Sequence, residues 1–203
     1  MDVAESAAPE SRIRLIAGLG NPGPRYQATR HNAGFWFADA MAQERDGQFK
    51  LSARYHGELC EIVENGHTCW LLKPDVFMNR SGQAVAALAN FYKIPVEQIL
   101  VVHDELDLPP GTVRLKQGGG NGGHNGLRSV TESMVGGNFT RLRIGIGHPG
   151  QRDLVTDYVL TKPSQEDRRA IEVAIADAMA VMSEILGGKL ERAMHKLHTK
   201  EQE

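Results

Sequence analysis

Cysteine is scarce in this chain: Cys60 and Cys69 are the only two, and they lack the spacing of a metal site. Both lie in residues 58–73, where Asn65-Gly66 predicts a tight two-residue hairpin turn. Counting outward from that turn sets Ile62 opposite Cys69 and Cys60 opposite Leu71. The two thiols are then diagonal neighbours on one face, about 7–8 Å apart. That is beyond an unstrained disulfide, so buried reduced thiols are expected. Long apolar runs are absent too, and none approaches the length of a membrane span. Residues 1–12 are polar and alanine-rich with no apolar h-region, so they read as a disordered tail rather than a signal peptide. The expected compartment is the cytoplasm. No G-x-S-x-G, H-E-x-x-H or paired-cysteine zinc pattern occurs, which removes the commonest hydrolase templates. There is no internal repeat.

A strong charge of either sign is also missing. The net charge of −2 argues against a generic nucleic-acid sponge. The average hides a contrast, however. Residues 97–107 hold Glu97, Asp104, Glu105 and Asp107, whereas residues 114–143 hold Arg114, Lys116, Arg128, Arg141 and Arg143 against the single acid Glu132. A localised basic patch suits a partner that offers a few phosphates at one place, although a solvated charged face would look the same.

What the chain does have is the composition of a globular protein, 41% hydrophobic and 24% charged over 203 residues, enough for one domain with a sizeable core. Strands are expected at 13–17, 58–63, 68–73, 99–103, 112–116, 141–147 and 158–160. Helices are expected at about 33–45, 81–92, 126–134, 164–186 and 189–198. Val85, Leu88, Ala89 and Tyr92 follow helical spacing, and Ser164 with Asp167 resembles a capping box. This alternation predicts a single three-layer α/β domain over residues 13–200, a twisted, mixed and partly parallel β-sheet flanked by helices.

Glycine is concentrated in two places. After the first strand, residues 18–34 read Gly-Leu-Gly-Asn-Pro-Gly-Pro-Arg-Tyr-Gln-Ala-Thr-Arg-His-Asn-Ala-Gly. Gly18, Gly20 and Gly23 form G-x-G-x-x-G, the dinucleotide fingerprint, but that motif needs a helix to open at the loop. Pro22 and Pro24 bracket the third glycine, and the next apolar stretch starts only at Phe35. The acid wanted further on, Asp39, falls inside a helical pattern. A nicotinamide or flavin site is therefore disfavoured. What remains is a loop at the carboxyl end of a strand carrying Asn21, a donor and acceptor, and His31, which titrates near neutrality. The second concentration, residues 118–126, has six glycines in nine positions around Asn121, His124 and Asn125. No Lys-Ser/Thr follows, so it is no P-loop; a mobile flap or a closely approached backbone is implied.

Two further stretches carry polar groups at element ends. Phe77-Met78-Asn79-Arg80-Ser81-Gly82 puts an amide just before a helix, where an N-cap or turn role is the ordinary one. His103-Asp104-Glu105-Leu106-Asp107 closes a short apolar strand, and taken alone these acids read as turn formers.

Taken together these stretches resemble bacterial-type peptidyl-tRNA hydrolase. The resemblance runs from about Ile13 to His198 and is carried by residues 18–34, 73–82, 103–111, 118–126 and 141–149, in order. It implies a single α/β domain that cleaves the ester between a peptide and the 3′-terminal ribose of tRNA. It implies His31 as the general base, Asp104 as the carboxylate that holds the imidazole, and Asn21 as the group positioning water or the scissile carbonyl. Asn79 and Asn125 are implied as amides gripping the peptide backbone, with Tyr26, Phe77, Met78 and His124 lining the cleft. Lys116 and Arg143 are implied as a clamp on a tRNA phosphate. The resemblance implies no metal and no organic cofactor, and the partner is peptidyl-tRNA acted on by a monomer. A non-enzymatic RNA-binding module of the same fold is the main rival, and a base–carboxylate pair argues against it. A hydrolase of some other ester is weaker, because it has no need of the basic residues.

Overall fold

The computed structural model describes residues 12–135 and 137–199. The expected tail at 1–12 therefore lies outside the described residues except for Arg12. Seven strands form one sheet: β1 (Leu15–Gly18), β2 (Lys50–Ser52), β3 (Gly57–Glu64), β4 (His67–Pro74), β5 (Ile99–Glu105), β6 (Val113–Gln117) and β7 (Thr140–Gly145). Their order is β2-β3-β4-β1-β5-β7-β6. The four central strands β4, β1, β5 and β7 run parallel, while β2–β3, β3–β4 and β6–β7 pair antiparallel. Parallel strands covered on both faces are continuous apolar runs. Leu15-Ile16-Ala17 and Ile99-Leu100-Val101-Val102 are such runs and are fully buried.

The helices are α1 (Ala33–Glu44), α2 (Ser81–Tyr92), α3 (Asn125–Ser133), α4 (Val155–Val159), α5 (Gln165–Met179), α6 (Met182–Leu186) and α7 (Leu190–Thr199). One core joins Phe37 and Met41 of α1 to Ile171 and Ile175 of α5, Met182 of α6 and Leu197 of α7. A second core, on the other face of the sheet, joins Val85 and Leu88 of α2 to Leu127 and Val130 of α3. The molecule is thus a three-layer α/β domain.

The hairpin has the register counted from its turn, with Ile62 opposite Cys69 and Cys60 opposite Leu71. Asn65 and Gly66 both take positive φ, 50° and 76°, as a primed turn demands. Both cysteines are free and buried, and burial pushes the Cys69 thiol pKa up.

Two local expectations are corrected, and one strand had not been expected. Residues 158–160 are not a strand: α4 ends at Val159, whose side chain packs on the first core together with Val155 one helical turn earlier. The apolar stripe across 164–186 is two helices, broken at Ala180-Val181 but still burying Val181. Lys50–Ser52 is a strand of three residues, two of them exposed, too short to show alternation.

Because β1 and β5 are parallel, their carboxyl ends meet at one edge of the sheet. There the chain turns to β4 on one side of β1 and β5 lies on the other, the kind of crevice in which α/β proteins place their chemistry. The approach is close. A Cβ on Gly18 would collide with the Gly34 carbonyl, and one on Gly34 with the Leu19 backbone and the Val102 carbonyl. These two glycines let the start of α1 sit directly against β1 and β5, which brings His31 over the end of β5.

Candidate active site

A cleft of about 590 Å³ opens at this edge and is lined by Asn21, His31, Asp104, His124, Asn79 and Asn125 among others. A larger groove of about 970 Å³ lies between α1 and α5. No histidine lines that groove, and Asp39 and Glu172 there are paired with Lys73 and Arg168. The chemistry favours the smaller cleft.

His31 sits in a short turn, Arg30–Asn32, that leads into α1. Its Nδ1 lies 3.0 Å from both carboxylate oxygens of Asp104. Asp104 is 3% exposed, at the carboxyl end of β5, and receives a second ring: His124 Nε2 is 2.8 Å from Oδ1. The tautomers follow from the other ring nitrogens. His124 Nδ1 accepts from the backbone N–H groups of Gly126 and Leu127, capping α3, so the proton of the neutral ring is on Nε2 and is donated to Asp104. His31 donates from Nδ1, which leaves its Nε2 lone pair to the cleft it lines.

These contacts set the charges. Burial alone would raise the Asp104 pKa, but the two imidazoles and their hydrogen bonds hold it well below the usual carboxylate range. Burial alone would lower the His31 pKa, and the Asp104 charge and hydrogen bond outweigh it, so the net shift is upward. His103, the next residue along β5, is the opposite case. It is 1% exposed, donates from Nδ1 to the Asp104 carbonyl at 2.7 Å, and leaves Nε2 buried with no partner. Burial, reinforced by His124, pushes its pKa down to about 3.

His31, Asp104 and His124 offer three ligand atoms within 4.8 Å, close enough for a cation. The donor chemistry does not fit one. A cation needs the Nε2 lone pair of His124, which moves the proton to Nδ1, and Nδ1 faces two backbone N–H donors. The trio is built to hold a carboxylate.

Asn21 is fixed on three atoms. Its N–H and C=O pair with the side-chain amide of Asn32 at 2.9 Å each, and its Oδ1 accepts from the Met78 N–H at 2.7 Å. With the acceptor end spent, the side chain offers the cleft its Nδ2 donor. Asn79 and Asn125 line the cleft, are exposed, and make no side-chain hydrogen bond among the described residues. Met78 is buried, Phe77 is 58% exposed, and Tyr26 reaches the site only indirectly, its ring edge-on to Phe77 at 6.1 Å. Both ring nitrogens of His124 are engaged, so it can meet a ligand only through its carbon edge.

Lys116 and Arg143 lie outside the cleft lining, on β6 and β7. In the β6–β7 register Lys116 is opposite Arg141 and Arg114 opposite Arg143, a four-cation face. Lys116 is exposed, whereas Arg143 is bridged through Nε to Glu105 at 2.8 Å. Arg141 is no surface charge: it is 3% exposed and donates to the carbonyls of Gly119 and Gly120, anchoring the glycine-rich loop.

Asn32, His103 and Arg141 are the parts that pattern reading missed. An asparagine bonding a backbone eleven residues away leaves no periodic signal, and a buried histidine beside Asp104 reads as another turn polar.

Residues 15–203 match the family model described as peptidyl-tRNA hydrolase. The chain is 54% identical over 188 residues to the peptidyl-tRNA hydrolase of Neisseria meningitidis serogroup A, covering 93% of this chain and 98% of that one. It is 50% identical over 192 residues to the enzyme of Halorhodospira halophila, with 95% and 99% covered. The crystal structure of peptidyl-tRNA hydrolase from Acinetobacter baumannii superposes with a TM-score of 0.90 at 45% identity, covering 93% of this chain and 96% of that one.

Proposed function

Because the chain belongs to the peptidyl-tRNA hydrolase family, it hydrolyses peptidyl-tRNA and so recycles tRNA, and we propose that His31 is the general base of that reaction. The observation that carries the assignment is the buried His31–Asp104 hydrogen bond with Nε2 left facing the cleft.

His31 Nε2 takes a proton from water as the water oxygen attacks the ester carbonyl. The imidazolium that forms is stabilised by Asp104, which stays ionised. Charge develops on the carbonyl oxygen, and the Asn21 Nδ2 donor, fixed in advance by Asn32 and Met78, is placed to receive it. When the tetrahedral centre collapses, His31 returns the proton to the ribose 3′-oxygen, releasing a peptide carboxylate and tRNA. Asn79 and Asn125 bond main-chain amides, groups shared by every peptide, which makes the enzyme indifferent to peptide sequence. Phe77 and Met78 line the cleft, with Tyr26 packed edge-on against Phe77, and His124 acts by holding Asp104. Lys116 and Arg143 neutralise a tRNA phosphate on the adjoining face. No second chain is needed to complete the site, which supports a monomer. Among the described residues no helix is long and apolar enough to cross a membrane, which accords with a cytoplasmic enzyme.

The test uses N-acetylated aminoacyl-tRNA beside the same aminoacyl-tRNA with a free amine, in the presence of chelator. The wild-type enzyme is expected to release the blocked amino acid alone. His31→Ala is expected to keep fold and tRNA affinity and to lose about 10²–10⁴-fold in rate. Near-wild-type turnover by that variant removes His31 from the mechanism.

A further inference from the structure

The apolar part of the cleft lining is built from Leu106 with Val155, Val159 and Leu160 of α4 and its exit. A five-residue helix cannot hold its own place, because most of its carbonyls have no partner within it. Here the partner is Arg30, the residue before His31. Its guanidinium is 8% exposed and its Nη1 donates to the carbonyls of Tyr158, Thr161 and Lys162 at 3.1–3.3 Å and to the Thr161 hydroxyl at 2.9 Å. Its own N–H bonds the Thr161 carbonyl at 3.1 Å. The guanidinium also stacks on the Tyr158 ring, 4.0 Å from its centroid, and the Tyr158 hydroxyl donates to the Ile146 carbonyl at 2.6 Å. The second arm of the fork lies 3.8 Å from Asp167 in the first turn of α5.

We infer that Arg30 is a positioning residue that sets the distance between His31 and the apolar wall formed by Val155, Val159 and Leu160, and so determines how the cleft holds the acyl group of its substrate. The inference rests on His31 marking the reacting centre. A cation at the end of a helix meets the negative pole of its dipole, and the two Nη1 protons shared among these four oxygens are held in the plane of the guanidinium fork, whereas those of an ammonium rotate freely. Placing that fork one residue from the base means that the wall and the base share a single anchor. Val155, Val159 and Leu160 offer no side-chain hydrogen bond and so serve side-chain bulk of any kind, although Thr156 and Arg152 lie beside them in the same lining, while Asn79 and Asn125 read the main chain.

The experiment compares the intact wild-type enzyme with Arg30→Lys and Thr161→Val on two substrates, N-acetylated aminoacyl-tRNA and tRNA carrying an N-acetylated tripeptide. Arg30→Lys is expected to raise KM for the tripeptide substrate about tenfold, in line with loss of a charge-assisted hydrogen bond. The rise for the single residue is expected to be smaller, with kcat within about threefold and the acid limb of kcat unmoved. Thr161→Val keeps Arg30 and removes the hydroxyl that accepts from its Nη1 and donates to the Tyr158 carbonyl at 2.9 Å, so a rise of about two- to threefold in the same direction is expected. Amide exchange across residues 155–162 is expected to quicken in both variants while that of α5 stays as it is. Equal KM on both substrates overturns the inference, and so does a fall in kcat with a displaced acid limb, since Arg30 would then act through His31. If Arg30→Lys does not fold, Thr161→Val decides the matter alone. A wild-type enzyme that cleaves neither substrate overturns the reading of the cleft itself, an outcome distinct from normal cleavage with no split between the substrates.

Discussion

At one end of the range of rigidity among the side chains lining the cleft, His31, Asp104, His124 and Asn21 have nearly every polar atom bonded inside the protein, leaving one lone pair on His31 and one donor on Asn21. At the other end of that range, Asn79 and Asn125 are exposed and make no side-chain hydrogen bond among the described residues. The difference accords with the role proposed for each. A group that moves a proton or meets a developing charge gains from being oriented before the substrate arrives. A group that grips many different peptides gains from rotamer freedom and from keeping both donor and acceptor unspent. The rigid end is also the buried end, where each hydrogen bond shifts a charge equilibrium. The exposed end, for which a gripping role is proposed, is wet, and its bonds are worth correspondingly less.

Breaking the rigid end is expected to have the largest effect. Asp104→Asn removes the charge that raises the His31 pKa and lets either tautomer form, so kcat is expected to fall about 10²–10⁴-fold. The sign of the accompanying pH change is fixed. In the wild type the acid limb of kcat is expected above the ordinary histidine value of about 6.5, because burial, which lowers the His31 pKa, is outweighed by the Asp104 charge and hydrogen bond. In Asp104→Asn only burial remains to act on His31, and the residual activity is expected to persist to lower pH. A pH–rate profile of both proteins checks this, and an unmoved limb assigns the titration to another group.

Breaking the gripping end is expected to cost less. Asn79→Ala and Asn125→Ala each remove hydrogen bonds made in water-exposed positions, so KM is expected to rise about 2–10-fold with little change in kcat. A loss in kcat alone would place these amides at the reacting carbonyl instead.

The smallest effect concerns stability and sharpens the contrast between two neighbouring histidines. His31 has a raised pKa, so its contribution to stability is complete below about 6.5 and is lost as pH rises through the folded value. His103, at about 3, is lost in the opposite direction: the unfolded chain takes up its proton below about 6.5 while the folded chain refuses it. Melting temperatures from pH 7 down to 4 are expected to fall less steeply for His103→Gln than for the wild type, whatever the variant's stability at pH 7. Parallel slopes would show that His103 does not carry this acid sensitivity.

Much of the fold was legible because its signals are local. The hairpin register follows from Asn65-Gly66, and the buried strands β1 and β5 from short apolar runs. Residues 158–160 misled for a physical reason: a three-residue apolar run fits a strand or a helical turn equally well, and a guanidinium from residue 30 stabilises the helical choice. The split between α5 and α6 was hidden because Val181 stays buried across the break, so the stripe shows no gap. In the site, His31, Asn21 and Asn125 stood out through residue type and their glycine-rich loops, whereas Asp104 and Asn79, which read alone as turn or cap residues, were singled out by the family resemblance. The roles of Asn32, Arg30 and Arg141 did not stand out, since each bonds backbone atoms supplied by another part of the chain.

The sequence by itself determined the alternation of elements and the glycines that allow α1 to close on β1 and β5, because residue chemistry and short-range spacing suffice for those; the roles expected of His31, Asp104 and the amides came from the family resemblance. Only the tertiary structure decided which nitrogen of each imidazole carries the proton, which end of Asn21 faces the cleft, and that Arg141 is an internal anchor rather than a surface charge. Each of these depends on backbone donors and acceptors brought together from distant positions, and such partners leave no periodicity to read.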